Sequence, residues 1–489
     1  MSEEFDVIVV GAGLSGIGAG YFLQRDARWA SYAILEARDR LGGTWDLFRY
    51  PGIRSDSDMH TLGFSFRPWT EAQAIADGPS ILRYLEDTAR EYGIDRHIRY
   101  RQKVVEARWS SEEARWTLTI EQGESGERVT MHCRFLSLCA GYYDYAGGHT
   151  PEFAGAGEFG GRIVHPQFWP EDLDVAGKRV VVIGSGATAV TLVPELAALG
   201  AEVTMLQRSP TYIVARPRSD RVANGLRRVL PERAAYGLTR WKNVLLGQFF
   251  FRQMRKHPDK AATRLIGWVR DHLSERFEPE HFTPRYKPWD QRLCLVPDGD
   301  LFQAIRSGKA SVVTGVIERF TPTAIRLSNG EELPADIVVT ATGLSVKLLG
   351  GVNIVIDGER FDPAKSLLYK GTMFSDVPNL AMAFGYTNAS WTLKADLSNA
   401  YVARLLNEMR RRGMRQVMPR ITDPDVVPEP FLEFTSGYIQ RVADQLPRQG
   451  SKAPWRLKQS YLHDLLTLRY GRLDDSLEFS NPEPERAAA

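Results

Sequence analysis

The chain opens with a short apolar run that gives way to a helical spacing. Phe5–Val10 (FDVIVV) is rich in β-branched residues and leads straight into Gly11, Gly13 and Gly16. A run of that length ending in a turn signal predicts a strand, and Ile17–Gln24 continues as a helix. A second strand, Tyr32–Leu35, ends in Glu36. The same succession returns later: Arg179–Ile183 is a strand, Gly184, Gly186 and Ala189 follow in GSGATA, and Glu202–Leu206 is a strand ending in Gln207 and Arg208. Trp109–Glu121 and Arg128–Cys139 are strand-rich and end in LCAGYYDY, while Asp336–Val339 runs in parallel fashion into TATG, Thr340–Gly343. Residues 219–280 break this rhythm with long helical stretches and many arginines and lysines. From Val377 onward strand and helix patterns mix, and residues 481–489 (NPEPERAAA) read as a frayed tail.

The glycines carry the first chemistry. In GxGxxG the first glycine permits a tight turn, the second lets a pyrophosphate approach the backbone, and the third lets helix and strand pack closely. The helix N-terminus then presents unpaired N–H groups to phosphate. Glu36 stands at the distance beyond Gly16 expected of a carboxylate that accepts from ribose hydroxyls. In the second unit Arg208 stands where an acid would be, and a guanidinium pairs with the 2'-phosphate that a carboxylate would repel. Two such folds, one ending in an acid and one in an arginine, predict FAD in the first and NADPH in the second. The fold class expected is α/β: two Rossmann-like dinucleotide-binding domains, for FAD and NADP, with a helical insertion in the NADP domain. The expected boundaries are 1–145 for the first part of the FAD-binding domain, 146–375 for the NADP-binding domain with its insertion at about 217–285, and 376–489 for the second part of the FAD-binding domain and the tail.

Composition narrows the partners. The 489 residues hold 62 basic and 60 acidic side chains, a formal +2, so no global footprint for nucleic acid exists and a small-molecule partner is expected. Cys133, Cys139 and Cys294 lack CxxC spacing, which suggests neither a disulfide framework nor a metal site. No apolar run reaches the roughly 18 residues of a membrane span, and a reduced, cytoplasmic compartment is the expectation. Trp241–Arg255 carries Trp241, Val244, Leu245 and Phe249–Phe251, with Arg252, Arg255, Lys256 and His257 close behind. It reads as a helix over the substrate entrance or against its own domain, with weak peripheral membrane association as the alternative. Oligomeric state is unreadable.

Between the two glycine-rich units lies FGGRIVHPQFWP, in which Phe159, Gly161, His165, Trp169 and Pro170 form FxGxxxHxxxWP. This resembles the signature of type I Baeyer–Villiger monooxygenases, and relatives that oxygenate nitrogen or sulfur usually carry another aromatic where Trp169 stands. Gly42–Met59 (GGTWDLFRYPGIRSDSDM), Gly184–Pro194, Gln207–Val214, Pro288–Phe302 (PWDQRLCLVPDGDLF) and Gly385–Leu397 (GYTNASWTLKADL) resemble the ethionamide-activating branch over nearly the whole chain. The resemblance implies that NADPH reduces FAD, that O2 then forms a C4a-peroxyflavin, and that this attacks a ketone carbonyl to give an ester or lactone, with sulfoxidation of thioethers or thioamides beside it.

The resemblance also implies roles. Arg292 is the catalytic arginine and Asp56 the acid that orients it; an arginine suits the task because it does not titrate near neutrality and offers fixed donors to anionic oxygen. Ser15 and Glu36 touch the FAD pyrophosphate and ribose, Thr44, Trp45, Asp46 and Leu47 lie along the cofactor, and Val104 lies near its adenine side. Arg54, Ser55, Gly184, Ser185, Gly186, Ala187, Thr188, Gln207 and Arg208 are assigned to NADP, and Trp391 to the nicotinamide end or substrate pocket. His165 is assigned to domain coupling rather than proton transfer. Many type I members place the arginine in a basic pair, whereas this chain has Asp290, Gln291 and Arg292, which leaves Arg285 as a second candidate. Rival readings are a purely sulfur- or nitrogen-oxygenating flavin monooxygenase, a disulfide reductase, which would need a redox cysteine pair, and a non-catalytic FAD/NADPH redox sensor.

Overall fold

The structure is a computed structural model and describes residues 3–432 and 435–482; most of the expected tail, from residue 483 on, lies outside them. Two parallel β-cores, each covered by helices, organise the chain. In the first, Glu3–Val10 is flanked by Tyr32–Leu35 on one side and the far end of Glu127–Leu138 on the other, both parallel to it. Val7–Val10 are buried on both faces, which is why this run is continuously apolar instead of alternating. Leu380–Met382 joins the end of Glu127–Leu138 in parallel, while Gln102–Ser110 and Arg115–Gln122 extend the sheet by antiparallel pairing.

The second core has five parallel strands in the order Ala310–Thr314, Glu202–Gln207, Arg179–Ile183, Ile337–Thr340 and Arg162–Val164. Between its strands Glu202–Gln207 and Ala310–Thr314 the chain makes the expected excursion, with helices Arg221–Val229, Glu232–Lys256 and Pro258–Leu273. The boundary expected at 375 differs from the sheet membership. Asn353–Ile356 pairs in parallel with Glu106–Trp109 of the first sheet, and Leu368–Tyr369 and Met373–Phe374 continue that sheet. The last strand of the second core is Ile337–Thr340, because the apolar run after Gly351 finds its unpaired edge on the first sheet.

Two strands run side by side between the cores. Tyr143–Gly148 leaves the first core and Leu344–Val346 returns from the second, and the two pair antiparallel. The long helix Trp391–Arg412 packs along Leu14–Asp26, with Asn399 Nδ2 donating to the Ser15 carbonyl at 3.0 Å. The insertion is anchored by Arg240 of Glu232–Lys256, whose guanidinium is buried and donates to the carbonyls of His60 (2.9 Å) and Gly63 (2.7 Å), with Asp396 at 3.7 Å supplying the opposite charge. Paired this way, a buried cation is tolerated.

Candidate active site

A cavity of about 1580 Å³ lies between the two cores and is lined by both glycine turns, the crossing strands, the insertion and the start of Trp391–Arg412. The first turn is built as its spacing implied. Gly11 has φ +101°, and a Cβ there would stand 2.8 Å from the Cys139 carbonyl oxygen; a Cβ on Gly16 would fall 1.8 Å from the Gly11 oxygen. In the second turn Gly184 has φ +139°, and its Cβ would meet the Ala341 oxygen at 2.3 Å. Gly186 is different: nothing lies within 4 Å of where its Cβ would be. Ala189 is fully buried and makes the helix–strand contact of the third position.

Helices Leu14–Asp26 and Ala187–Ala198 begin at Gly13 and Gly186 with no side-chain cap, whereas Asp58, Asp77 and Asp220 cap other helices. Both uncapped starts line the cavity, so their first N–H groups are left for an anionic ligand. That donor set, with the space over Gly186 and an arginine beside it, fits a dinucleotide phosphate at each turn. Ser15 Oγ accepts from the Trp391 indole N–H at 2.8 Å and keeps its own proton to donate. Glu36 accepts from the Ala12 and Arg38 N–H groups at 2.8 and 2.9 Å; burial raises its pKa, against those bonds. Its remaining lone pairs can serve a ribose. Thr44, Trp45 and Val104 line the cavity beside it.

Asp46 and Leu47 do not line it. Asp46 is buried and pairs with Arg38 (2.7 Å) and Arg49 (3.2 Å), and Leu47 packs into the second core. Their place on a single helical turn, Thr44–Leu47, turns them from the cavity that Thr44 and Trp45 meet. Gln207 is likewise buried away from the lining: its side-chain amide Nε2 donates to the His281 carbonyl (2.7 Å) and Thr314 Oγ1 (3.0 Å). Next to it Arg208 is exposed, lines the cavity, and has no hydrogen bond or ion pair among the described residues. Ser185, Ala187 and Thr188 line the same end; Arg54 and Ser55 lie nearby, with Arg54 held by Asp300 at 2.5 Å.

Arg292 and Asp56 both face the cavity, and Arg285 is exposed outside it. The exposed surface of Asp56 and Arg292 faces this cavity, and the protein mass around it partly desolvates both groups. Burial therefore raises the Asp56 pKa, with Arg292 and Arg54 opposing it. For Arg292 burial acts to lower the pKa, but Tyr142, Tyr438, Asp56 and Tyr143 together outweigh it and the value is raised. The guanidinium stays charged and donates to the Tyr386 carbonyl at 3.1 Å. Tyr142 stacks on Trp391, with ring centres 5.4 Å apart, and its hydroxyl lies 3.1 Å from that of Tyr143. Tyr386 in turn donates to Asp464 (2.7 Å), which pairs with buried Lys394 at 2.9 Å.

Sequence reasoning did not single out Tyr142, Tyr386, Tyr438, Asp300 or Asp464. Tyr386 and Asp300 lie inside quoted motifs, but nothing local shows that they meet Arg292 and Arg54.

The FxGxxxHxxxWP residues lie outside the cavity lining, at the crossing. His165 Nδ1 accepts from the Gln167 N–H at 3.2 Å, the ring lies against Gly148, where a Cβ would be 1.9 Å from it, and Gln167 Nε2 donates to the Asp144 carbonyl at 2.9 Å. A Cβ on Gly161 would strike the Asp336 oxygen at 2.3 Å, Phe159 packs edge-on to Phe320, and Trp169 packs into the second core. Pro170 is half-buried next to it. The three cysteines are buried and unpaired, and burial pushes the Cys139 and Cys294 thiols up to about 12.

Two uncapped glycine turns of dinucleotide type, facing one cavity that Arg292 also lines, define a protein built to bind two dinucleotides. Residues 74–375 match the family model of flavin-binding monooxygenase-like proteins, and residues 9–77 that of the NAD(P)-binding Rossmann-like domain. The FAD-containing monooxygenase EthA of Mycobacterium tuberculosis is 56% identical over 477 residues, 97% of each chain. EthA of Mycolicibacterium smegmatis is 52% identical over 483 residues, 98% of each chain, and the probable FAD-binding monooxygenase AlmA of Acinetobacter baylyi 47% over 479. Among solved structures, cyclohexanone monooxygenase with bound ε-caprolactone superposes with TM-score 0.76 at 20% identity, covering 98% of this chain and all of that one. An NADP-bound steroid monooxygenase gives 0.74 at 22%, with the same coverage; these two likenesses speak to fold. The chain belongs to the flavin-binding monooxygenase-like family, and within it to the ethionamide-activating branch that its motifs resembled. Its cofactors are FAD and NADP(H).

Proposed function

We propose that the protein is an NADPH- and O2-dependent Baeyer–Villiger monooxygenase that converts a ketone, O2, NADPH and a proton to an ester or lactone, water and NADP+, and that it also sulfoxidises thioethers or thioamides. The observation that carries this reading is Arg292: a permanently charged guanidinium in the shared cavity, anchored at the Tyr386 carbonyl and facing Asp56. The first turn with Ser15 and Glu36 would hold FAD, and the second with Arg208 would hold NADPH; together they supply reducing equivalents and oxygen activation when bound.

Arg292 offers fixed donors to the anionic oxygen that develops on a carbonyl during attack, in a site that needs no reorganisation to stabilise it. Asp56 faces that cation as its opposite charge, and Tyr142, Tyr143 and Tyr438 surround it. Val244, Phe251 and Met254 from the insertion are apolar parts of the lining that suit a hydrocarbon chain. The crossing at His165, beside the strands that pass between the two cores, is the coupling element in this reading.

The test is an aerobic product assay of FAD-loaded protein with NADPH, 2-dodecanone and a methyl aryl sulfide, resolved by mass. Ester and sulfoxide are expected. Sulfoxide alone, with the ketone untouched, replaces the reading by electrophilic S/N-oxygenation; NADPH consumption with neither product leaves a redox sensor.

A further inference from the structure

No helix among the described residues is long and apolar enough to cross a membrane, yet one helix of the insertion carries an outer face that water alone covers poorly. Along Glu232–Lys256, Trp241, Leu245 and Phe249 follow at intervals of four and are 41%, 49% and 54% exposed, so they form one stripe on the helix surface. Leu246 and Phe250, one step round the helix, are exposed to a similar degree. Contiguous exposure of large apolar side chains on a monomer marks an interaction surface. Trp241, Leu245 and Phe249 do not line the cavity, so their exposure is to the outside; Leu246, Phe250 and Trp268 of the next helix are exposed and do line it. The stripe therefore borders a mouth of the cavity.

Charge decides what covers it. The insertion, residues 217–285, contains 15 Lys and Arg against 7 Asp and Glu, a formal +8 in a chain whose total is +2. The excess is placed at the C-terminal end of the same stripe. Arg252, Lys256 and Lys260 are exposed and carry no ion pair among the described residues, whereas Arg255 is taken by Asp290. Arg264 lies over the exposed Trp268 ring, 5.1 Å from its centre. Aromatic and aliphatic side chains on one line, with unpaired cations at its end, match a helix lying in the headgroup region of an anionic bilayer, where the rings enter the acyl boundary and the cations meet phosphate. A second copy of the chain would bring the same uncompensated cations together.

We propose that helix Glu232–Lys256 docks the protein on anionic phospholipid surfaces, with the cavity mouth at Leu246, Phe250 and Trp268 held against the lipid. Resting on the monooxygenase reading, this names the substrate class: a lipophilic ketone or sulfide that partitions into the bilayer and enters from it.

The test is flotation of FAD-loaded full-length protein with vesicles of phosphatidylcholine alone and of phosphatidylcholine with phosphatidylglycerol at 7:3 (roughly physiological anionic content). Co-flotation with the phosphatidylglycerol vesicles is expected, weakening as salt is raised. The double variant Leu245→Ser/Phe249→Ser, whose residues lie outside the cavity, should lower the partition coefficient about tenfold or more, and Arg252→Glu/Lys256→Glu should do the same while leaving the apolar stripe in place. Retained flavin absorbance in both variants shows that the fold and cofactor site persist, independently of any oxygenation. No flotation, or flotation that neither variant alters, overturns the proposal. So does a wild-type dimer in sedimentation that the apolar variant splits, with no vesicle binding, because the face then belongs to a second copy.

Discussion

Replacing Arg208 with alanine isolates one functional group with little structural cost. The side chain is exposed at the end of Glu202–Gln207, lines the cavity, and has no partner among the described residues, so its removal leaves nothing unsatisfied. What it loses is a charge-assisted contact with a 2'-phosphate. Such contacts are worth about 1.5–3 kcal/mol when sheltered, and exposure here discounts that to about 1–2 kcal/mol, or roughly 5–30-fold in Kd. NADH has no 2'-phosphate, so its binding should change by less than about twofold, within the effect expected of a surface substitution. Arg208→Lys should recover part of the loss, since it restores charge without the planar fork. The assay is the anaerobic rate of flavin reduction against NADPH and NADH concentration in a stopped-flow instrument, with the loss expected in the apparent Kd and not in the limiting rate. Equal weakening of both nucleotides would refute the argument, because Arg208 would then be acting on something the two share.

Two further predictions use the geometry of single residues. Gly184→Ala combines a positive φ with a backbone oxygen 2.3 Å from the new Cβ, and should destabilise the protein by about 2 kcal/mol or more; Gly186→Ala, at φ −80° with nothing in the way, should leave the melting temperature within about a degree while weakening NADPH. A Gly186→Ala protein that binds NADPH normally would show that no phosphate approaches there. His165 supplies a pH prediction: burial lowers its pKa below the ordinary 6.5, so the unfolded chain takes up the proton first as pH falls, and only the neutral ring accepts from Gln167 N–H. Its stabilising contribution is present above the unfolded value and is lost on acidification through that value toward the folded one, so thermal stability should fall from pH 7 to 5.5 by less in His165→Gln than in the wild type; parallel profiles would remove His165 from that dependence.

What was legible before the structure was local. The glycine turns, Glu36 at its spacing and Arg208 are all set by a few consecutive residues, and the structure brings them to the lining of one cavity. Asp46 and Gln207 have partners that no neighbouring residue announces: Asp46 pairs with Arg38 and Arg49, and Gln207 satisfies its amide on His281 and Thr314 of elements far along the chain. The surroundings of Arg292 were illegible for the same reason. Tyr142, Tyr386 and Tyr438 arrive from the bend before the crossing strand, the loop before Trp391–Arg412 and the C-terminal region, and no periodicity records that meeting. The return of residues 353–374 to the first sheet was missed because a short apolar strand does not announce which edge it will pair with.

The central claim is that Arg292 serves oxygen transfer to a carbonyl and not the binding of either cofactor. Its most direct test is a side-by-side measurement on wild type and Arg292→Ala: flavin reduction by NADPH without oxygen, and ester formed from 2-dodecanone with oxygen, quantified by mass. The account predicts that the variant keeps its FAD and is still reduced by NADPH, while ester falls below detection. Ester at the wild-type yield in the variant would contradict it.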